Sequence, residues 1–221
     1  NNLIYKEYIN AFYSQYGNKI KENFSFLFGL RMESTRITID QSTSGDFAKK
    51  DYIGLFPTVN LGYKFSDDQS LTLGYNRRIR RPRSRFINPF PSRSSATNVF
   101  QGDPDLDPTY SNSFDLGYLN RFGKLTLNTS VYYTHSTDVF NFISEATDDY
   151  YSFELNQIIN ANDPDFDTLN DTYNLINVVR RGPINLATND RYGFEFTLTY
   201  RPSRKWNLNG NPWKFHKMPR S

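Results

Sequence analysis

Cysteine is absent from the 221 residues, which excludes disulfides, thiolate catalysis and cysteine-held metals. There are two histidines, His135 and His216, and neither has a Glu or His at metal-ligand spacing. No Gly-rich phosphate cradle and no local nucleophile–base motif occurs, so the reading is of a non-enzyme with no resident metal or cofactor. A formal charge of +3 is too small an excess to argue for nucleic acid. No run of about 18 apolar residues exists, so the chain encodes no membrane-crossing helix. The opening residues also lack the charged start, apolar core and small-residue cleavage site of a signal peptide. Asn1 is therefore expected to begin a mature or internal segment.

Aromatic residues, by contrast, are abundant at 17%, although hydrophobic residues as a whole reach 37% and the mean hydropathy is −0.69. They are arranged with period two. Phe24, Phe26, Phe28, Leu30 and Met32 share one side of an extended run, with Ser25, Leu27, Gly29, Arg31 and Glu33 on the other. Tyr192, Phe194, Phe196, Leu198 and Tyr200 repeat the pattern against Gly193, Glu195, Thr197 and Thr199. Two tyrosines eight positions apart span about 26 Å of strand, or roughly 20 Å of height at a barrel tilt of about 40°. That matches a hydrocarbon band bordered by aromatic girdles. A soluble sandwich also alternates, but its core face favours Val, Ile and Leu over Phe and Tyr.

The spacing predicts eight strands, over residues 5–16, 23–39, 52–65, 71–79, 109–120, 125–134, 190–200 and 206–210. Tight turns are expected at Gly17-Asn18-Lys19, at residues 66–70, at 121–124 and at 201–205. Long connections are expected over 40–51, 80–108 and 135–189, the last with strand extensions above the membrane. All short turns then fall on one side, which is periplasmic in an outer-membrane barrel. Arg77 shares the parity of Leu71, Leu73 and Tyr75, and at mid-depth in lipid it would cost about 2–4 kcal/mol. A bulge near Asn76 is expected to turn it away. Pro57 removes a ladder donor from the third strand, tolerable near its loop end.

Between Asn76 and Asn120 the chain reads NRRIRRPRSRFINPFPSRSSATNVFQGDPDLDPTYSNSFDLGYLN. Tyr75, Arg81-Pro82, Asn88-Pro89-Phe90, Gly102-Asp103-Pro104-Asp105-Leu106-Asp107-Pro108 and Leu116-Gly117-Tyr118 together resemble a stretch of TonB-dependent-receptor-like outer-membrane barrels of the Bacteroidetes type. The chain departs from that pattern at Asp103, usually Asn, and at Thr109, usually Glu; Asp and Asn close local turns alike. Tyr192-Gly193-Phe194-Glu195 followed by Tyr200-Arg201-Pro202 looks like a late strand and periplasmic turn of the same family. The resemblance implies an all-β, antiparallel transmembrane barrel of which these eight strands are an incomplete arc. It implies location in the bacterial outer membrane among lipid and lipopolysaccharide, uptake of a small-molecule nutrient such as a metal chelate or glycan, and coupling to the TonB system through an N-terminal region this chain lacks. Residues 1–210 form the expected partial barrel. Residues 211–221 read as an irregular tail of a truncated or frame-disrupted product.

Candidate ligand contacts come from the basic loop, where Arg77, Arg78, Arg80, Arg81, Arg83 and Arg85 fall within nine positions. Arg80, Arg81, Arg83 and Arg85, with Phe86 and Phe90, suit anions, sugars or chelates, or lipopolysaccharide phosphate; Phe100 and Tyr110 extend the aromatic set. The bland alternative is that the arginines pair with loop or lumen carboxylates while Phe86 and Phe90 pack the loop on the barrel rim. Asp163, Asp165, Asp167 and Asp171 alternate like calcium ligands, but Thr168 and Asn174 stand where a calcium loop needs Gly and Glu, so a solvated acidic loop is expected. Two other architectures fit the alternation, a soluble carbohydrate-binding sandwich and a self-contained eight-stranded structural or adhesin barrel.

Overall fold

The computed structural model describes residues 3–41, 47–203 and 206–210. β1 (Leu3–Ile20) and β2 (Phe24–Gln41) form a hairpin in unbroken register from Leu3↔Gln41 to Ile20↔Phe24. The turn is at residues 21–23, where Lys21 takes φ +57°, and not at the expected Gly17-Asn18-Lys19, which stay paired in β1. Gly17 serves close approach instead: a Cβ there would lie 3.1 Å from the Phe26 carbonyl oxygen. β3 (Phe47–Lys64) pairs with β2, and β4 (Gln69–Arg80) follows a tight polar turn.

From β4 the chain passes through a 3-10 turn (Ser84–Phe86), β5 (Ser92–Ser95) and β6 (Asn98–Phe100) before β7 (Thr109–Phe122). β8 (Leu125–Ser152) and β10 (Leu175–Ser203) make one long hairpin, more than twice the length the period-two pattern alone marks out. Short β9 (Gln157–Asn160) and α1 (Phe166–Thr172) lie at its tip, and β11 (Trp206–Gly210) pairs with the other end of β10. The order is β1-β2-β3-β4-β7-β8-β10, with β11 beside β10. Among the described residues β1 and β11 do not pair. The eight principal strands are thus an open arc and not a closed small barrel, and the single sheet is not a two-sheet sandwich. Residues 211–221, expected to be an irregular tail, lie outside the described residues.

Strand pairing turns the period-two pattern into rows. Phe26, Leu61, Leu73, Leu116, Val131 and Phe194 are partners in succession across six strands. The parallel row Tyr16, Phe28, Val59, Tyr75, Phe114, Tyr133 and Tyr192 is mostly aromatic. The next row beyond it, Gly29, Thr58, Asn76, Ser113, Thr134 and Arg191, is polar or small, and Ser113 bonds Thr134 across it at 3.0 Å. Along β2 the consequence is visible residue by residue: Phe28, Leu30 and Met32 are about half exposed, while Glu33, Thr35, Ile37 and Ile39 are buried. The apolar rows face outward, as lipid requires, and something covers the other side.

The expected bulge near Asn76 is absent. The β4–β7 ladder runs from Gln69↔Asn120 to Arg80↔Thr109 without a shift. The ladder between β3 and β4 instead ends at Thr58↔Asn76, and Arg77 begins just past it with its guanidinium 5.1 Å from the Tyr110 ring, which stacks on buried Phe56. Parting two strands at the loop end lets Arg77 keep its parity without a register change. Pro57 sits at the same parting, where its missing N–H costs least.

Candidate functional site

What covers the concave side is the strap, residues 81–108, running from the end of β4 to the start of β7 by way of β10. Its first anchor is Arg81. The guanidinium Nη2 donates to Glu33 Oε2 at 2.5 Å and to Thr35 Oγ1 at 2.9 Å, and Nε lies 3.7 Å from Glu7 Oε1. Glu33 is also paired to Arg31 at 3.2 Å. Burial disfavours the Arg81 charge, but Glu33 and Tyr52 more than offset it and hold the group above its ordinary value.

The second anchor is apolar. Ile87 and Leu106 from the strap close on Ile37 and Ile39 of β2, with Tyr5, Tyr52, Phe86 and Phe140 around them. The two isoleucines sit on the parity that carries Arg31 and Glu33, so without the strap they would be greasy residues in water.

The third anchor is backbone. Asp103 N–H donates to Phe86 O at 2.7 Å and Gly102 N–H to Asn88 O at 2.8 Å, while the Gln101 side chain donates to Pro89 O at 2.9 Å. A Cβ on Gly102 would fall 2.5 Å from Phe86 O, so this knot needs glycine. Asn185 of β10 clips the strap from both sides: its Oδ1 accepts from Asp107 N–H at 2.7 Å, and its Nδ2 donates to Asp107 O at 3.0 Å and to Asp138 O at 2.7 Å. Lys50 Nζ reaches Asp105 O at 2.6 Å and Asp107 at 2.7 Å. The Asn-Pro-Phe and Gly-Asp-Pro-Asp-Leu-Asp-Pro segments are thus the seams of the strap. Finally β6 pairs in parallel with β10, Val179 to Arg181 against Asn98 to Phe100.

Of the six candidate ligand residues, three converge. The Phe86 ring packs against Phe140 and Phe142 at 6.3 and 5.3 Å, Arg80 lies 5.0 Å over Phe140, and Arg85 lies 4.4 Å over Phe100. Arg81 is committed to the wall carboxylates. Arg83 is exposed beside the 3-10 turn, and among the described residues its side chain has no partner; Phe90 is half-buried with its backbone N–H on Asn88. Tyr110 joins Phe56 and Arg77 elsewhere. Sequence reasoning missed Phe140, Phe142 and Arg181, which reach the strap's Phe86 and Phe100 from the distant β8–β10 hairpin. Their one local signal was Ile37 and Ile39 on a wettable parity, which demands a cover. In the acidic loop Asp163 Oδ1 accepts from Asp165 N–H at 3.0 Å, and no metal-holding group is found among the described residues. His135 bonds Asp190 at 2.8 Å, and His216 lies outside the described residues.

The model of the outer membrane protein beta-barrel family matches residues 1–217. The chain belongs to that family. Its place is the bacterial outer membrane. Among solved structures, the copper transporter OprC superposes with TM-score 0.64 at 13% identity, over 97% of this chain and 29% of that one. The hemophore receptor HasR of Serratia marcescens, solved with its hemophore HasA and heme, gives 0.65 at 12%, over 96% and 34%. The siderophore receptor PirA of Acinetobacter baumannii gives 0.58 at 15%, over 96% and 27%. At such identities the likeness is one of fold, and this chain spans about a third or less of each. No curated protein sequence matches it.

Proposed function

We propose that the chain is one arc of the wall of a TonB-dependent-receptor-like transporter that carries a nutrient, a metal chelate or glycan, across the outer membrane. The observation that carries this reading is the strap. An outward apolar face would serve any barrel, but a long ordered segment laid across the inner face needs a lumen wide enough to hold it, as in barrels far larger than eight strands. Proteins named as copper transporter, siderophore receptor and hemophore receptor share the fold of this arc, which favours uptake over enzyme chemistry. On this reading residues 1–210 are wall, lipid and lipopolysaccharide surround it, and the TonB contact belongs to a region outside this chain. The test is deletion of the complete gene in its host, with uptake of ferric and copper chelates, heme and oligosaccharides measured with and without a proton-motive force. Loss of energy-dependent uptake of one class is expected. Unchanged uptake of all of them, or a passive leak insensitive to energy, overturns the reading.

A further inference from the structure

The rings that seat the strap also carry three cations that no carboxylate among the described residues answers. The β6–β10 register sets Phe100 beside Arg181. The Phe100 and Phe142 rings are 6.3 Å apart, with Arg85 at 4.4 Å from the first and Arg181 at 5.3 Å from the second. Through Phe86 the ring group continues to Phe140, which carries Arg80 at 5.0 Å. Arg80, Arg85 and Arg181 are all exposed. Among the described residues none of the three has an ion pair, whereas neighbouring Arg180 is matched by Glu145 at 3.0 Å and Arg81 by Glu33. A ring face attracts a guanidinium but brings no counter-charge. It fixes the plane of the group and leaves the N–H donors on its edge free for paired oxygen atoms.

We propose that Arg80, Arg85 and Arg181, held on Phe140, Phe100 and Phe142, bind a ligand bearing two or more carboxylate, sulfate or phosphate groups. Resting on the transport reading for its biological role, this narrows the cargo to acidic chelates and acidic glycans. Lipopolysaccharide phosphate has the same chemistry, but the ring group packs on the strap side of the sheet through Phe140, against Ile37 and Ile39. The apolar rows lie on the opposite face, so outer lipid does not reach it.

The experiment uses the full-length parent in detergent micelles, with citrate, a sulfated disaccharide, neutral maltose and lipopolysaccharide as calorimetric titrants. Saturable binding of at least one of the two small anions is expected, weakening with salt, and none of maltose. Arg85→Gln and Arg181→Gln should each weaken it about tenfold, the loss of one charge-assisted hydrogen bond. Arg85→Lys should restore part of the loss, because lysine keeps the charge but not the planar fork. Arg36→Gln, which removes a cation paired to Asp51 on the outward face, should change nothing. Each variant is checked for a folded barrel by its compact migration before boiling. Absence of saturable binding by both anions, unchanged affinity in the triple Gln variant, or variant-sensitive binding of lipopolysaccharide alone overturns the proposal. Energised uptake of a neutral sugar, indifferent to the single and triple Gln variants of Arg80, Arg85 and Arg181, would sink this inference and spare the transporter. Anion binding without uptake of anything would do the reverse.

Discussion

Arg81 stands between Glu7 and Glu33, with a side chain about one-fifth exposed against 8% for Glu33. Removing one member of such a pair strands a charge in a poorly solvated place. Arg81→Met is expected to destabilise the full-length barrel by about 3 kcal/mol, near the low end for a broken buried pair because Arg31 still contacts Glu33. Adding Glu33→Leu should recover much of that loss; urea unfolding in lipid vesicles measures both. Gly102→Ala tests a different contact, steric and not electrostatic. Its Cβ meets backbone oxygens that cannot swing aside, so a local cost of about 1–3 kcal/mol is expected. Limited proteolysis should then cut within residues 81–108 while the membrane strands stay protected.

At the level of strands, the outward rows make the sharpest prediction. Spin labels at Phe26 and Phe196 in the full-length parent should be relaxed by lipid-dissolved oxygen, and labels at Thr58 and Thr197 by a water-soluble nickel chelate. The opposite pattern would invert the wall. Most strands were legible because alternation is a strand's own property: eight were expected, and the eighth ends match the sequence reading at Trp206 and Gly210. The turn at Lys21 was less legible, since Gly17 is the stronger local turn signal and its role in close packing against Phe26 is set by a partner strand. The upper halves of β8 and β10 were expected as strand extensions within residues 135–189, but no local pattern set their bounds. They leave the lipid, lose strict alternation and are held by pairing with each other, with compensating shifts around Asp138 and Leu186. The strap's grip on that hairpin depends on Asn185. Asn185→Ala should raise amide exchange at Asp107 by tenfold or more, given three hydrogen bonds lost at about 1 kcal/mol each.

For the molecule as a whole, an arc has two edges. β1 pairs on one side with β2, and among the described residues its other side has no partner. Unpaired strand edges recruit one another. The 221-residue chain refolded by itself in detergent is expected to associate into mixed oligomers and to lack the compact, heat-sensitive migration of a closed barrel; a discrete monomer with protected β1 amides would contradict an open arc. The candidate site was half legible at this scale. Arg80, Arg85 and Phe86 come from one stretch of sequence, but Phe142 and Arg181 lie on β8 and β10 and are joined to the strap through β6, whose parallel pairing no local pattern announces.

That pairing ties the long hairpin to the far wall through a segment of fixed length. Arg81 is fastened at Glu33 near one edge of the arc, and Phe100 at Arg181 near the other. The strap therefore ties the β8–β10 hairpin to the β2 wall. Trimming or inserting a residue between those two fastenings is expected to shift the hairpin relative to the β2 wall, although the altered stretch never enters the lipid.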